Sequence, residues 1–177
     1  MAKKKANPNQ LVNDKLVDLL NQQIQNEFKA SAQYVAIAVH FDDASLPSLA
    51  KHFYKQAEEE RVHAMKFVQY MLDAGAKPEI RGLPNLRNDF TSAADAVQCA
   101  LDGELEVTRQ INNLVDEAAK NKDHMTHTFL QWFVTEQLEE VSSMSTLLDT
   151  IHHAGDALLL VEDFVRRGEI GHDDGQA

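Results

Sequence analysis

The chain has 177 residues, enough for one domain with a sizeable core, and its 7 glycines and 4 prolines are too few for a sheet-rich, collagen-like or linker-rich protein. Its 17 Lys and Arg residues against 28 Asp and Glu residues give a formal net charge of −11, which argues against nucleic acid as a partner and favours cations, although solubility alone also explains such a charge. The single cysteine, Cys99, excludes a disulfide within the chain and fits a reducing, cytoplasmic location.

The N-terminal segment carries lysines at positions 3–5 but no apolar stretch after them, so it does not resemble a signal peptide. No run of residues approaches the ~18 apolar residues of a membrane span. We therefore expect no membrane association and a solvated N-terminal tail.

The first two predicted helices follow from the spacing of glycine and proline. Helix A is predicted over about 10–40, where neither residue occurs. Helix B is predicted over about 46–74, with Ser45 as its N-cap, Pro47 in its first turn and Gly75 directly after its end.

A long connection follows helix B. Residues 75–92 contain two prolines and two glycines and exceed the usual length of a helix–helix loop, so they are predicted to form a crossover. Helix C is predicted over about 92–121 with Ser92 at its start, and helix D over about 124–154.

The C-terminal part of the chain is predicted to hold a short apolar helix over about 156–167 and a polar tail over 168–177. Short A–B and C–D turns with one long B–C crossover are typical of an antiparallel four-helix bundle. The sequence thus predicts an all-α fold with a short fifth helix, as a single domain over 1–177.

Polar residues interrupt the stripe that each long helix should bury, where apolar positions recur at alternating spacings of four and three residues. Every interruption lies near the middle of its helix, so with ~1.5 Å of rise per residue they meet at one level of the bundle. They are Glu27 in helix A, Glu60 and His63 in helix B, Glu104 in helix C, and Gln137 and Glu140 in helix D.

Four buried carboxylates at one level repel one another and lose hydration, so the layer requires protons or bound cations. Carboxylate oxygens with one imidazole and no thiolate suit iron or manganese, with zinc able to enter. A single buried Glu is as readily a register device, and His63 alone a satisfied core histidine. Because the interruptions coincide in all four helices, we predict a metal site.

Four further residues lie near the predicted metal site in the sequence, and two of them, Tyr34 and Gly103, allow two interpretations each. Tyr34 is two turns from Glu27, where its phenol could bind a ligand or donate an electron, or pack as a core tyrosine. Trp132 and Phe133 are interpreted as packing residues. Gly103, inside helix C, is either a tolerated defect or a point of close approach near the site.

These residues resemble a known family, the non-haem bacterial ferritins, from helix A to the fifth helix. The stretches that carry the resemblance are Asn26-Glu27 with Tyr34, Glu58-Glu59-Glu60-Arg61-Val62-His63-Ala64, Glu104 four residues before Thr108, and the run from Gln131 to Glu140.

The resemblance implies a ferroxidase centre in each subunit. One iron would be held by Glu27, Glu60 and His63, and a second by Glu60, Glu104 and, as a further candidate, Glu140, so that Glu60 bridges. Gln137 would lie near the oxygen side, with Tyr34 close by. An auxiliary third iron position would draw on Glu59, Glu136, Glu139 and Glu140, although the three glutamates outside the stripe would by themselves indicate a solvated helix face.

Two departures from related patterns are informative. A symmetric di-iron bundle carries Glu-x-x-His on two helices, whereas the second copy here is Gln137-x-x-Glu140. We therefore expect an asymmetric centre that holds its second iron weakly, which suits passage of iron into a store. Haem-binding bacterioferritins have a methionine where this chain has Arg61, so haem is not expected.

The function implied is oxidation of Fe²⁺ by O₂ or H₂O₂ and storage of ferric mineral inside a homo-oligomeric cage of 24 subunits. The apolar fifth helix, with leucines at 158–160, lacks a partner in a closed bundle and is predicted to lie at a subunit interface. His124 and His127 could line an entry route for iron or be ordinary surface histidines.

Two alternatives remain at this point. A non-storing di-iron oxidase or peroxidase of rubrerythrin type usually carries an additional Cys-x-x-Cys module, which one cysteine cannot form. A helical protein of the starved-cell type that binds DNA is disfavoured by the acidic charge.

Overall fold

The structure, a computed structural model, describes residues 9–168 and 170. Within these residues the regular secondary structure is entirely helical, which confirms the predicted all-α fold. Lysines 3–5 and most of the predicted polar tail lie outside the described residues. The helices are α1 (Asp14–Asp43), α2 (Pro47–Asp73), α3 (Ala93–Lys120), α4 (His124–Ala154) and α5 (Leu158–Arg166).

Side-chain caps mark where α1, α3 and α4 begin. α1 begins at Asp14 rather than near residue 10, because the Asn13 side chain accepts a hydrogen bond from the Leu16 backbone N–H at 3.0 Å. The predicted start of α3 is confirmed, since Ser92 Oγ accepts from the Asp95 N–H at 3.1 Å.

The predicted N-cap of α2 is wrong. Ser45 has φ of 59°, in the left-handed region, and belongs to the turn, while Leu46 occupies the cap position without a side-chain hydrogen bond. Glu162 of α5 replaces the missing cap, because its carboxylate accepts from the N–H groups of Ser48 at 2.9 Å and Leu49 at 2.8 Å. Pro47 lies in the first turn as predicted.

The long connection between α2 and α3 runs along α1 and is held there by amide side chains. Asn21 accepts from the Glu79 N–H at 2.6 Å and donates to the Lys77 carbonyl at 3.4 Å. Gln33 likewise donates to the Arg87 carbonyl at 2.7 Å and accepts from the Arg87 N–H at 2.9 Å. The predicted crossover is thus an extended segment bound to α1, because these amides satisfy backbone groups that no strand partner serves.

The core is divided into two apolar clusters with a polar layer between them. One cluster contains the C-terminal half of α1, the N-terminal halves of α2 and α3 and the C-terminal half of α4, and Val161 of α5 packs into it. The other contains the opposite halves of α1–α4. The polar layer lies where the sequence predicts it, with Glu27, Glu60, Glu104 and Glu140 all buried.

Two features of the outer surface bear on function. No helix in the described part of the chain is long and apolar enough to span a membrane. On α5, Leu159 is 77% and Leu160 66% exposed, although the helix packs its other face against the bundle. The apolar face of α5 is therefore only partly covered within one chain.

Candidate metal centre

The best-defined group of ligands joins α1 and α2. Glu27, Glu60 and His63 are 1%, 0% and 4% exposed, and each offers a ligand atom within 4.8 Å of the others. Glu60 and His63 share one face of α2 because residues three apart are neighbours on a helix. Glu27 meets them because α1 and α2 pack as an antiparallel pair joined by a short turn.

Three carboxylate oxygens of this group have no hydrogen-bond partner. Glu27 Oε1 accepts from Gln23 Nε2 at 2.8 Å, but Glu27 Oε2 and both oxygens of Glu60 have none. His63 Nδ1 lies 3.4 Å from Glu60 Oε2. Buried acceptors without partners are costly and rare in folded proteins, and a cation bound between these oxygens would remove that cost.

The carboxylate from α3 is in a different situation. Glu104 Oε1 accepts a short hydrogen bond from the Tyr34 hydroxyl, and Glu104 Oε2 accepts from Gln137 Nε2 at 3.0 Å. Gln137 Nε2 also lies 3.2 Å from the hydroxyl of Thr108. The structure thus brings Tyr34, Glu104 and Gln137 together as the sequence predicts, but with the carboxylate served by neutral donors.

The carboxylate from α4 is also served by an amide. Gln56 Nε2 lies 3.2 Å and 3.3 Å from the two oxygens of Glu140 and donates to Glu59 Oε2 at 2.9 Å. Gln56 therefore joins a buried carboxylate of the layer to a half-buried one beside it.

The electrostatics of the layer favour either protons or cations. Burial, followed by the charge of Glu60, raises the pKa of Glu27 well above its usual value, and burial, followed by the charge of Glu104, does the same for Glu60. Burial also raises the pKa of Glu104. For Glu140, burial and the neighbouring Glu104 raise the pKa to about 8. A bound cation would reverse each of these effects.

The glutamates predicted for an auxiliary position lie on the α2–α4 side of the layer. Glu136 Oε1 is 3.7 Å from His63 Nε2, and burial, the largest influence, raises the Glu136 pKa while His63 opposes the rise. Glu139 is exposed and acts on Glu136 through its charge. Glu59 connects to the layer through the hydrogen bond that it accepts from Gln56 and through its charge, which helps to raise the pKa values of Glu60 and Glu140.

Sequence reasoning missed a role for two amides. Gln23 precedes Glu27 by four residues, which places both on one helical face, and Gln56 holds the same relation to Glu60. That spacing was a usable signal for Gln23, which donates to Glu27, but not for Gln56, whose partners are Glu59 and Glu140 and not Glu60.

Other residues singled out in the sequence fall near the layer. Phe133 packs in the core as predicted, and the partly exposed Trp132 lies 5.3 Å from the His63 ring with Lys66 Nζ 3.5 Å above its own ring. The suggestion of close approach at Gly103 is wrong, because a Cβ there would meet nothing within 4 Å. His124 lies exposed at the start of α4.

The fold and this layer define an all-helical bundle with a buried, carboxylate-rich layer whose Glu27, Glu60 and His63 could hold a metal ion. The model of the ferritin-like domain family matches residues 17–154, and the chain belongs to the ferritin family, whose members bind and store iron.

The chain is 52% identical over 149 residues to ferritin BfrB of Mycolicibacterium smegmatis, covering 84% of this chain and 82% of that one. It is 38% identical over 141 residues to the bacterial non-heme ferritin of Staphylococcus haemolyticus, covering 80% and 85%. Among solved structures, the open pore ferritin of Archaeoglobus fulgidus superposes with a TM-score of 0.85 at 29% identity, covering 88% of this chain and 96% of that one.

Proposed function

We propose that this protein oxidises Fe²⁺ at the polar layer and stores the ferric product inside a homo-oligomeric cage. The observation that carries the proposal is the group of three unpaired, buried carboxylate oxygens of Glu27 and Glu60 beside the His63 imidazole. Oxygen ligands with one imidazole suit iron, and iron is the substrate that the family handles.

The stoichiometry of the reaction is simple. With H₂O₂, two Fe²⁺ give up one electron each, the O–O bond breaks, and two protons complete two water molecules. With O₂, the same two electrons and two protons give one H₂O₂. Binding the two metals next to each other allows the oxidant to receive both electrons together.

The chain's residues have distinct roles in this proposal. Glu27, Glu60 and His63 bind the first Fe²⁺, and Glu60 bridges to the second, because it alone has both oxygens unpaired. The negative charges of Glu27 and Glu60 stabilise Fe³⁺ over Fe²⁺, since attraction grows with the cation's charge in a buried site.

The second Fe²⁺ binds between Glu60, Glu104 and Glu140, with Gln137 on the oxygen side. There it competes with the hydrogen bonds that Tyr34 and Gln137 already donate to Glu104. This competition makes the second position the weaker one. Oxidised iron then leaves past Glu136, Glu139 and Glu59, which provide an auxiliary third position on the α2–α4 side.

Storage requires a cavity that one bundle lacks, so the function requires assembly. The exposed Leu159 and Leu160 of α5 would be buried at a subunit interface. By family resemblance we propose 24 subunits, and the charge of −11 per chain, repeated over the shell, would draw Fe²⁺ inward. His124 and His127 at the start of α4 are candidates for an entry route.

The test is aerobic loading of metal-free protein with excess Fe²⁺, followed by size-exclusion chromatography with iron and protein assayed on the same peak. We expect far more iron than two per chain on a large assembly. A Glu27→Gln/Glu60→Gln variant, which keeps side-chain volume but removes both charges, should show slow loading at unchanged assembly size. About two irons per chain in a small oligomer would instead indicate a non-storing oxidase, and no retained iron would overturn the metal site.

A further inference from the structure

A groove opens between α1 and α3 on the side of the bundle away from the auxiliary glutamates. Its volume is about 270 Å³, and its lining includes both Tyr34 and Glu104, which are themselves buried. It therefore leads from the surface to the hydrogen bond between these two side chains at the polar layer. We call it the α1–α3 groove.

The amide groups of the α1–α3 groove are already paired with protein atoms. Asn26 Nδ2 donates to Gln110 Oε1 at 2.8 Å, and Gln110 Nε2 donates to Glu106 Oε1 at 3.0 Å. Gln33 is held by the backbone of Arg87 at 2.7 Å and 2.9 Å. The Asn26–Gln110 pair bridges the two walls, and all three amides are engaged with protein atoms.

The carboxylates at the rim are likewise engaged. Glu106 Oε2 accepts from Arg109 at 2.6 Å, and Asp102 Oδ1 accepts from Gln98 Nε2 at 2.9 Å. Lys29 adds a positive charge to the same lining. A hydrated Fe²⁺ ion would have to displace a cation or an amide at each step, so the groove is poorly suited to carry it.

The remaining walls are apolar and include Ala30, Ile37, Ala100 and Val107. A small neutral molecule needs no charged partner there and fits easily, because one water occupies ~30 Å³ in the liquid. The apolar lining of the groove thus favours entry of a small neutral molecule over entry of an ion.

Gly103 keeps the wall open next to Glu104. It lies inside α3, and a Cβ built on it meets nothing within 4 Å, so packing does not explain the glycine. A glycine in a helix interior is destabilising relative to alanine. Gly103, which has no side chain, lines the groove directly beside Glu104, a proposed iron ligand.

We propose that the α1–α3 groove admits the oxidant, a small neutral peroxide or dioxygen, to the polar layer, and that Gly103 sets its width. The inference rests on the proposed ferroxidase function and deepens it. Fe²⁺ reaches the layer from elsewhere, and the oxidant arrives against the Tyr34–Glu104 pair. Gly103 is a positioning residue, because it acts on access and touches no reacting atom.

The test compares Gly103→Leu, which fills the groove, with Gly103→Ala as the matched control for removing a helix glycine. Each assembled protein is loaded anaerobically with two Fe²⁺ per chain and mixed in a stopped-flow instrument with H₂O₂, and in a second arm with O₂. We expect the second-order rate constant for the oxidant to fall about tenfold or more in Gly103→Leu and to fall far less in Gly103→Ala, whose added methyl group occupies little of the groove. Anaerobic Fe²⁺ binding should be the same in all three proteins.

Each contrary result has a defined meaning. Equal oxidant rate constants in the two variants, in both arms, would overturn the role of the groove while leaving the ferroxidase function intact. Slower anaerobic Fe²⁺ binding in Gly103→Leu would show that the groove carries the metal instead. Absence of oxidation in wild type would overturn the ferroxidase function itself. A lower rate constant with only one of the two oxidants would identify that oxidant as the one that uses the groove. If Gly103→Leu fails to assemble, Gly103→Met replaces it in the same experiment.

Discussion

The polar layer has two halves, one formed by Glu27 and Glu60 and the other by Glu104 and Glu140, and their carboxylates differ in hydrogen bonding. In one half, Glu27 and Glu60 leave three buried carboxylate oxygens unpaired. In the other, Glu104 accepts from Tyr34 and Gln137, and Glu140 lies within reach of Gln56. All of these carboxylates are buried, so burial alone does not distinguish them. We infer from this difference that the neighbouring neutral donors would set how strongly each carboxylate attracts a cation.

This difference suggests a division of work. An unpaired carboxylate gains the full benefit of a bound cation, whereas a paired one must first give up its hydrogen bonds. The first half should therefore hold iron tightly and the second should exchange it, as a protein that passes iron onward requires.

The largest expected effect comes from removing the residue that both halves share. Glu60→Ala should lower the initial rate of Fe²⁺ oxidation about 100-fold or more, since in the proposed mechanism it removes a ligand of both irons and not only an outer partner. Gln137→Ala should lower it far less, because Gln137 contributes a neutral amide. Stopped-flow absorbance of the two variants checks the ranking, and equal effects would count against the bridging role of Glu60.

The sequence predicted this layer well because the signal was periodic. One carboxylate interrupted the buried stripe near the middle of each of four helices, and helical geometry then required them to meet. Periodicity could not show which carboxylates were paired, because the pairing of Glu104 depends on the Tyr34 rotamer and on a contact with another helix. It could not predict the cap of α2 either, since Glu162 is more than 110 residues away in the chain.

A second prediction concerns a substitution that should strengthen Fe²⁺ binding in the half of the layer that contains Glu104. Gln137→Glu adds a carboxylate beside Glu104, so the affinity for the second Fe²⁺ should rise about tenfold, equivalent to ~1.4 kcal/mol. Release of iron to the store should slow accordingly. Anaerobic Fe²⁺ titration measures the affinity, with Gln131→Glu as a control that adds the same charge at an exposed position of α4. Equal gains in both variants would mean that long-range charge, not ligation, causes the effect.

A third prediction concerns an unpaired buried atom outside the layer. His52 Nε2 has no hydrogen-bond partner, and burial lowers the pKa of this imidazole to about 4. Between pH 6.5 and 4 the unfolded chain therefore binds more protons than the folded one, and stability falls as the pH falls. Relative to His52→Leu, wild type should lose ~2 kcal/mol between pH 7 and pH 5 in denaturant unfolding of the metal-free protein.

The matched control for His52 is substitution of the exposed His124, which should leave the pH dependence close to that of wild type. Iron should not alter the His52 effect, because a lone unpaired nitrogen without neighbouring carboxylates does not make a metal site. If iron changed the pH dependence that His52 causes, it would contradict the idea that a single unpaired buried atom does not bind metal whereas a cluster of such atoms does.

The smallest expected effect comes from a carboxylate outside the polar layer that backbone donors already serve. Glu162 accepts from two backbone N–H groups at the start of α2, where the helix dipole also favours negative charge. Glu162→Gln retains one acceptor and loses the charge, so it should cost about 0.5–1 kcal/mol of unfolding free energy and loosen α5. Iron oxidation measured on the intact assembly should remain unchanged, since a carboxylate engaged by backbone donors has nothing left to offer a cation. An altered oxidation rate at unchanged assembly size would show that α5 influences the polar layer, and that pairing with neutral donors is not a sufficient criterion for separating structural carboxylates from functional ones.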